Sequence, residues 1–404
     1  MHKKVDYMKY LLTVLCGFML FASCNEDNEV TDDTESKENT VIVYVTGDNS
    51  LNDFVDENVN DAISATEHLD DSCRLVMIVD KRYAKPYILE VKKGVVEKRT
   101  DYDKDFTMTD PAEMKEVLTS VMNEHKSNNF GLLLWGHSTG WFIESDSVKT
   151  RGYGPDSESG TGQTSSKWIN FPTLASVLES LPLKFEYIIG DCCLLQCAEV
   201  AYELRNSTHY LIGSPAETTS VGFPYKQIVP YLFDFSESSY FKIADIGNHY
   251  YYDTEEITLP LSVVKTSAMQ DLASATKGVI EAGALPYPVS TSDAVYYFKW
   301  YDKKNVKTPI MYDIRSIMKR NVATNHYTQW EKALDAAVIY KKRCNKWITS
   351  YQWTDDFTVT DDNYGGMSMY FPMEKMDGMP YYDCNENIKK MQWYEAAGID
   401  KYTK

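Results

Sequence analysis

Three cysteines lie within six consecutive positions of the stretch FEYIIGDCCLLQCAEVAYELR, residues 185–205. Cys192, Cys193 and Cys197 follow an apolar run that predicts a buried strand. A thiolate is both a nucleophile and a metal ligand, so the cluster suits covalent catalysis or zinc binding. Zinc needs four ligands, and no Cys-x-x-Cys or His-x-x-His pair elsewhere in the sequence supplies the remainder. The residue types therefore favour a nucleophile and no bound metal.

His137 is the natural partner for such a nucleophile. It lies in LLLWGHSTGW, residues 132–141, after a second strand-like run. The carboxyl ends of parallel strands share one sheet edge, where open α/β sheets bind ligands. The interval of 56 positions from His137 to Cys193 is close to the caspase interval of about 50, with the histidine upstream in both. We expect a Cys–His dyad in which Cys192 or Cys193, in the first turn of a helix, attacks.

A serine nucleophile is the alternative. Residues 136–140 read GHSTG and match the G-x-S-x-G elbow of α/β-hydrolases, in which Ser138 would attack. That elbow leads directly into a helix, whereas the residues that follow here have no helical period. No HGGG-like stretch supplies the other half of an oxyanion hole. The hydrolase interpretation is therefore less favoured than the cysteine dyad.

Alternating strand and helix patterns position these motifs. Apolar runs such as VIVYVT and RLVMIVD alternate with helix-period segments, and one such segment opens with Asp110 as N-cap and Pro111 at the first helical position. This alternation predicts crossover units and a mostly parallel sheet, hence an α/β fold. Residues 285–404 change to short aromatic-rich strands plus one helix, which predicts a smaller α+β domain. We place the catalytic domain at 40–284.

The N-terminus carries features of export. Residues 1–23 combine three lysines with an uncharged run too short to span a bilayer comfortably, as in a signal peptide. The segment FASC resembles the lipobox of bacterial lipoproteins, which implies lipidation of Cys24. Residues 24–39 are acidic, hold almost no large apolar side chain, and predict a solvated tether. We expect a lipid anchor in the outer membrane of a bacterial cell envelope, with the protein exposed at the surface.

Composition bounds the function further. The 404 residues are 43% hydrophobic and 13% aromatic, enough for a sizeable core. The formal net charge of −18 argues against binding nucleic acid or an anionic membrane surface, so membrane contact should come through the lipid anchor only. Eight cysteines are too few for a disulfide scaffold in a chain this long. We expect a monomer.

The two motifs together resemble the clostripain family of cysteine peptidases. The family's second motif reads roughly Asp-Ala-Cys-Leu-Met, which Asp191–Leu195 matches in order, and the following EVAYEL at Glu199–Leu204 matches outright. The similarity continues through ITLPLSVVKTSAMQDLASA and MYDIRSIM to YGGMSMYFP at 364–372. It spans nearly all of residues 40–404. The resemblance implies a caspase-like α/β/α sandwich.

The resemblance also implies roles for single residues. It places the nucleophile on Cys193 and the general base on His137, with backbone N–H groups near Ser138 and Cys193 holding the oxyanion. Ser138 stands where the family often has glycine, but a serine retains the N–H. Asp191 aligns with the acid that lines the specificity pocket, which implies cleavage after Arg or Lys. The alternative is that Asp191 caps the following helix.

Precursor processing is another implied property. Members of the family are often made inactive and cut at a basic residue between the two catalytic strands. Residues 143–167 are rich in Gly, Ser and charge and predict a long exposed loop. Lys149, Arg151 and Lys167 are the basic residues there, and we expect self-cleavage at one of them.

Cofactors are not required by this chemistry. Some relatives respond to calcium, and Asp156 and Glu158 are acidic residues that could contribute to such a site, although no calcium-loop spacing is present. We therefore expect a self-processed cysteine endopeptidase that acts on proteins or peptides with Arg or Lys at the cleaved bond, with Ca²⁺ as a candidate ligand. The competing class is a surface lipoprotein that keeps the fold as a binding module without turnover.

Overall fold

The computed structural model describes residues 38–142, 152–157, 167–350, 352–354, 356–378 and 383–402. The predicted signal peptide and Cys24 lie outside these residues. Lys37–Lys404 forms one compact unit. Among the described helices, none has the length and apolar character needed to cross a membrane.

The strands and helices alternate over the first two thirds of the chain. The strands are β1 (Asn39–Gly47), β2 (Cys73–Lys81), β3 (Tyr87–Lys92), β4 (Val95–Asp101), β5 (Asn129–Trp135), β6 (Tyr153–Asp156), β7 (Lys167–Ile169), β8 (Phe185–Asp191), β9 (Thr208–Gly213), β10 (His249–Tyr252), β11 (Glu255–Thr258), β12 (Leu261–Lys265), β13 (Tyr296–Tyr301), β14 (Lys307–Asp313), β15 (Val338–Lys342), β16 (Trp347–Thr349), β17 (Gln352–Thr354) and β18 (Ser368–Met369). The α-helices are α1 (Asn52–Ser64), α2 (Pro111–Glu124), α3 (Phe171–Glu179), α4 (Ala198–Glu203), α5 (Tyr225–Leu232), α6 (Glu237–Asn248), α7 (Met269–Glu281), α8 (Ile314–Asn321), α9 (Thr324–Ala337), α10 (Cys384–Asn387) and α11 (Gln392–Ala396).

A nine-stranded sheet forms the centre of the molecule, in the order β15-β12-β9-β8-β5-β1-β2-β3-β4. Its five middle strands, from β9 to β2, pair in parallel. Antiparallel strands extend both ends, β3 and β4 on one side and β12 and β15 on the other. The predicted α/β class with a largely parallel core is confirmed.

Both faces of the sheet are covered because the central strands are apolar on both sides. In β1, Ile42 and Tyr44 enter one core, while Val41 and Val43 enter the other. Helices α2, α3, α4 and α7 cover the first face, and α1, α5 and α6 cover the second. Helix α2 begins as predicted, with the Asp110 carboxylate accepting the N–H groups of Ala112 and Glu113. The result is a three-layer sandwich.

The C-terminal third adds small sheets to this sandwich. Strands β13, β14 and β18 form one sheet, and β16 and β17 form a hairpin. Strand β15 pairs with β12 at the edge of the central sheet. Buried side chains after residue 285 share the core of the first face. A domain boundary near residue 284 stays a prediction.

Candidate active site

The ends of β5 and β8 bring His137 and Cys193 to one edge of the sheet. The last residues of these parallel strands, Trp135 and Asp191, are register partners. His137 and Cys193 each follow two residues later, and both line a cavity of about 400 Å³. They also share an adjoining cavity of about 460 Å³. The two side chains predicted to form a dyad therefore face the same space.

His137 contacts the loop that follows β1. Its Nε2 lies 2.9 Å from the Ser50 hydroxyl, in the loop that follows β1. The ring of Trp168 lies beside the imidazole, with centroids 6.4 Å apart. Burial lowers the pKa of His137 below its ordinary 6.5. The imidazole is therefore largely neutral at pH 7 and able to accept a proton.

Cys193 does not lie on a helix, which corrects the sequence prediction. Helix α4 begins at Ala198 with Cys197 as its N-cap, and Cys193 occupies the preceding turn, where Leu194 has φ 59°. Cys193 therefore lies four residues before the N-cap, outside the first helical turn in which we expected it. Burial, and secondarily the charge of Glu217, raises the pKa of Cys193 to about 11. The group is therefore a thiol at neutral pH.

Thr218 holds the Cys193 sulfur in position. Its backbone N–H donates to Sγ at 3.3 Å, and its hydroxyl lies 3.6 Å from the same atom. Thr218 follows Glu217 in a loop that lines the cavity through Gly222. This loop lies within the segment LIGSPAETTSVGFPY, residues 211–225, to which the sequence analysis assigned no role. A thiol needs a contact across the sheet edge to be oriented, and such a contact leaves no periodic signal in the sequence.

The other two cysteines point away from the cavity. Cys192 and Cys197 are both 0% exposed and belong to the core of the first face. Burial raises the pKa of each thiol well above the ordinary value. Among the described residues, the groups of acidic, histidine and cysteine side chains close enough to share a metal ion include no cysteine. The three thiols therefore do not form the zinc cluster that their spacing allowed.

Ser138 is 6% exposed, and its hydroxyl faces inward. Its Oγ accepts the backbone N–H of Gly140 at 3.2 Å. The strand residue Tyr153 bridges to Ser138 in antiparallel fashion. The turn through Gly140 and the strand that contains Tyr153 thus hold Ser138 in place beside His137.

Asp191 lies on the floor of the cavity and caps no helix. It is 5% exposed, and its Oδ2 accepts the N–H of Phe223 at 2.9 Å and the hydroxyl of Tyr225 at 3.0 Å. Burial raises its pKa to about 6. Gly222 has φ +77°, and a Cβ there would come within 3.0 Å of the same carboxylate oxygen. The helix-cap alternative is wrong, because Cys197 occupies the N-cap of α4.

The remaining walls come from segments far apart in the chain. Glu217, Glu255 and Ile257 line the cavity, together with Ile348 and Trp353 of the β16–β17 hairpin. Glu217 also forms an antiparallel bridge with Ile348. With Asp191, these walls carry three carboxylates, and the described lining residues include no lysine or arginine. Such a lining favours a cationic group with an aliphatic stem.

Of the predicted processing and calcium residues, the structure describes Lys167 and Asp156. Lys149, Arg151 and Glu158 lie outside the described residues. Lys167 begins β7, where it pairs with Asp156 of β6, and its Nζ donates to the Thr107 hydroxyl at 3.1 Å. Asp156 is fully buried and has ligand oxygens near those of Asp48 and Asp80.

The pKa values of two groups predict how kcat/KM depends on pH. If His137 acts as the general base and Asp191 pairs a cationic substrate, both groups must lose a proton before reaction, so kcat/KM should rise with pH. The midpoint for Asp191 should lie near pH 6 and that for His137 below 6.5. Asp191→Asn should remove the transition near pH 6 and leave the transition that belongs to His137. A profile that stays flat down to about pH 4 would contradict the roles given to both groups.

Comparisons with known proteins agree with this geometry. The sequence model of the Clostripain family, Peptidase_C11, matches residues 43–402. A secreted C11 cysteine protease from Bacteroides thetaiotaomicron, solved with an irreversible peptide inhibitor, is 25% identical with a TM-score of 0.72, over 90% of this chain and 99% of its own. An inactive zymogen C11 protease from Parabacteroides distasonis is 26% identical with a TM-score of 0.70, over 89% and 98%. No curated protein matches this chain.

Proposed function

Because the chain belongs to the clostripain family of cysteine peptidases, we propose that it is an endopeptidase that cleaves proteins and peptides after Arg or Lys. The observation that carries this proposal is the buried Asp191 carboxylate on the floor of the cavity that Cys193 and His137 line. A guanidinium or ammonium group entering the cavity gains a partner there that it would otherwise lack once removed from water. Glu217 and Glu255 add negative charge along the path.

The order of the proton transfers follows from the protonation states of Cys193 and His137 before substrate binds. A thiol with a pKa of about 11 does not transfer its proton to a neutral imidazole in advance. Cys193 therefore loses its proton to His137 as Sγ bonds to the carbonyl carbon of the substrate. Backbone N–H groups of Ser138 and Cys193 stabilise the oxyanion. His137 then gives the proton to the departing amine, and the thioester is hydrolysed by a water that His137 deprotonates.

We also propose that the chain is activated by its own cleavage, at Lys149 or Arg151 in preference to Lys167. The zymogen structure of the Parabacteroides distasonis protease supports an inactive precursor. To be cleaved, the segment around the scissile bond must lie extended in an active site, either that of the same molecule or that of another copy. Lys167 is held in the β6–β7 pair and by Thr109 and Thr107, so cutting there requires β7 to detach.

The proposal includes an exported, lipid-anchored monomer. The features of residues 1–23 and the lipobox-like segment ending at Cys24 support removal of the leader and lipidation. Two B. thetaiotaomicron relatives are described as secreted, which is consistent with action outside the cytoplasm. The finer assignment to the outer face of the outer membrane rests on the acidic tether alone.

A panel of peptides that differ only at the residue before the cleaved bond tests the function. We expect kcat/KM to be at least about 10²-fold higher for Arg or Lys than for Leu, Gln or Asp. Only a cationic side chain can form an ion pair with the buried Asp191 carboxylate and so offset the free energy of its desolvation. Mass spectrometry of the products locates the cut. Equal cleavage after all residues would contradict the proposed specificity, and no cleavage of any peptide would favour the binding module.

A further inference from the structure

Asp191 leaves a ligand only one of its two carboxylate oxygens. Oδ2 accepts the backbone N–H of Phe223 at 2.9 Å and the hydroxyl of Tyr225 at 3.0 Å, which occupies both of its lone-pair directions. Among the described residues no donor bonds to Oδ1, and that atom is not sealed from solvent. Because Asp191 lines the cavity, Oδ1 is the oxygen that a bound cation would reach.

The packing around Oδ2 fixes this arrangement. Gly222 has φ +77°, and a Cβ on it would lie 3.0 Å from Oδ2 and 2.3 Å from the Asn58 amide oxygen, so backbone lies directly against the carboxylate. The Gly222 carbonyl accepts the Tyr250 hydroxyl at 2.7 Å, which holds the loop there. Tyr225, the first residue of α5, is 2% exposed. Turning the carboxylate to present both oxygens would break two buried hydrogen bonds.

Lysine and arginine side chains differ in how they use such an acceptor. The guanidinium group is a planar fork that pairs with both oxygens of a carboxylate through two parallel hydrogen bonds. Where one oxygen is already saturated, the second N–H of that fork loses its hydration without gaining an acceptor. The ammonium group is a compact charge with three rotatable donors, so it can pair fully with one oxygen and direct its other N–H groups elsewhere.

A hydroxyl in the cavity wall offers the ammonium group a further acceptor. Thr219 lines the cavity, and its hydroxyl lies 3.3 Å from that of Tyr250. Because the Tyr250 hydroxyl gives its only proton to the Gly222 carbonyl, the Thr219 hydroxyl must be the donor in this contact. The Thr219 oxygen therefore remains able to accept a hydrogen bond.

The other two carboxylates of the cavity do not replace the second oxygen of Asp191. Glu217 lies close enough to Cys193 for its charge to raise the pKa of that thiol, and it lines the adjoining cavity as well. Glu255 is exposed, so water keeps its charge hydrated and screened. The pairing on the cavity floor therefore depends on Asp191 Oδ1.

We propose that the cavity selects lysine over arginine at the residue before the cleaved bond. This preference rests on the proposed function and narrows it. Asp191 Oδ1 pairs the lysine ammonium group, whereas an arginine fork meets one free oxygen where it needs two. Phe223 and Tyr225 are positioning residues, because they act on the substrate through Oδ2.

Three peptides that differ only in lysine, arginine or citrulline before the cleaved bond test the preference, with citrulline as the uncharged isostere of arginine. At pH 7.5 we expect kcat/KM for lysine to exceed that for arginine by at least about tenfold, and citrulline to be cleaved least. Equal or faster cleavage of the arginine peptide, with citrulline far behind, overturns the preference and leaves the basic specificity intact. Equal cleavage of all three contradicts the proposed function and the preference with it.

Tyr225→Phe frees one lone pair of Oδ2 and keeps the ring, so the lysine-to-arginine ratio of kcat/KM should fall by at least about threefold. Because the Tyr225 hydroxyl lowers the pKa of Asp191, its loss should also move the Asp191 transition of the pH profile upward from near pH 6. Tyr187→Phe is the matched control, since it removes a buried hydroxyl between the same strand and helix that donates to the Leu232 carbonyl. The control should change neither the ratio nor the midpoint. A Tyr225→Phe protein that also changes neither would overturn the role given to Oδ2.

Discussion

Replacing Cys193 with alanine is expected to lower kcat/KM toward Arg and Lys peptides by at least about 10³-fold. The reason is that covalent attack needs a nucleophile in the shared cavity, and Cys193 is the cysteine that lines it. The variant chain should also stay uncut during expression and storage, whereas the wild type should yield two fragments on a denaturing gel. Steady-state kinetics with the peptide panel and intact-mass analysis measure the two effects.

Cys192→Ala is the control for that variant, because it removes an adjacent thiol that is fully buried in the core. It should change kcat/KM by less than about threefold and cost about 1 kcal/mol of unfolding free energy through the small cavity it leaves. Ser138→Ala keeps its backbone N–H and should also remain active. Activity that survives Cys193→Ala but is lost in Ser138→Ala would support the serine-hydrolase alternative instead.

Asp191→Asn is expected to reduce kcat/KM by about 10² to 10³-fold for Arg and Lys peptides, and by only a few-fold for neutral ones. The substitution removes the charge on the cavity floor, so a bound cation would be desolvated without its partner. Asparagine retains an oxygen that can accept the Phe223 N–H and the Tyr225 hydroxyl, which should preserve the shape of the pocket. The peptide panel compared at pH 7.5 separates the two classes of substrate.

Glu255→Gln is the matched control for charge at the mouth of the same cavity. Glu255 is exposed, so solvent screens its charge and kcat/KM for Arg should fall by less than about fivefold. If Asp191→Asn lowered cleavage of neutral and basic peptides equally, Asp191 would be a structural residue. The basic specificity would then have to come from another part of the cavity.

Much of the fold was predictable because local physics sets it. Apolar runs such as 41–46 are buried on both faces, so they read as central strands, and Asp110 with Pro111 marks the start of α2. The antiparallel edge strand β15 was not predictable, since its pairing with β12 joins segments more than seventy residues apart. The alternation of strands also placed His137 and the cysteine stretch at one sheet edge.

The helix predicted to begin near Cys193 shows where local reasoning fails. The segment LLQCAEVAYELR has apolar residues that suit a helix, yet α4 begins only at Ala198. The backbone N–H groups of Leu194 and Gln196 instead donate to Ala216 and Ser214 of the neighbouring segment. Tertiary hydrogen bonds thus replaced the helical ones, and the predicted acidification of the thiol was lost with them.

The fold class, the alternation of strands and helices and the family could be predicted from the sequence, because these depend on apolar periodicity and on contiguous motifs. It narrowed the nucleophile to two adjacent cysteines, and only the resemblance singled out Cys193. The tertiary structure decided which thiol faces the cavity, where Asp191 lies and which residues form the walls. It also brought Asp80 together with Asp48 and Asp156, since contacts between distant segments depend on packing across the sheet edge and leave no local pattern in the chain.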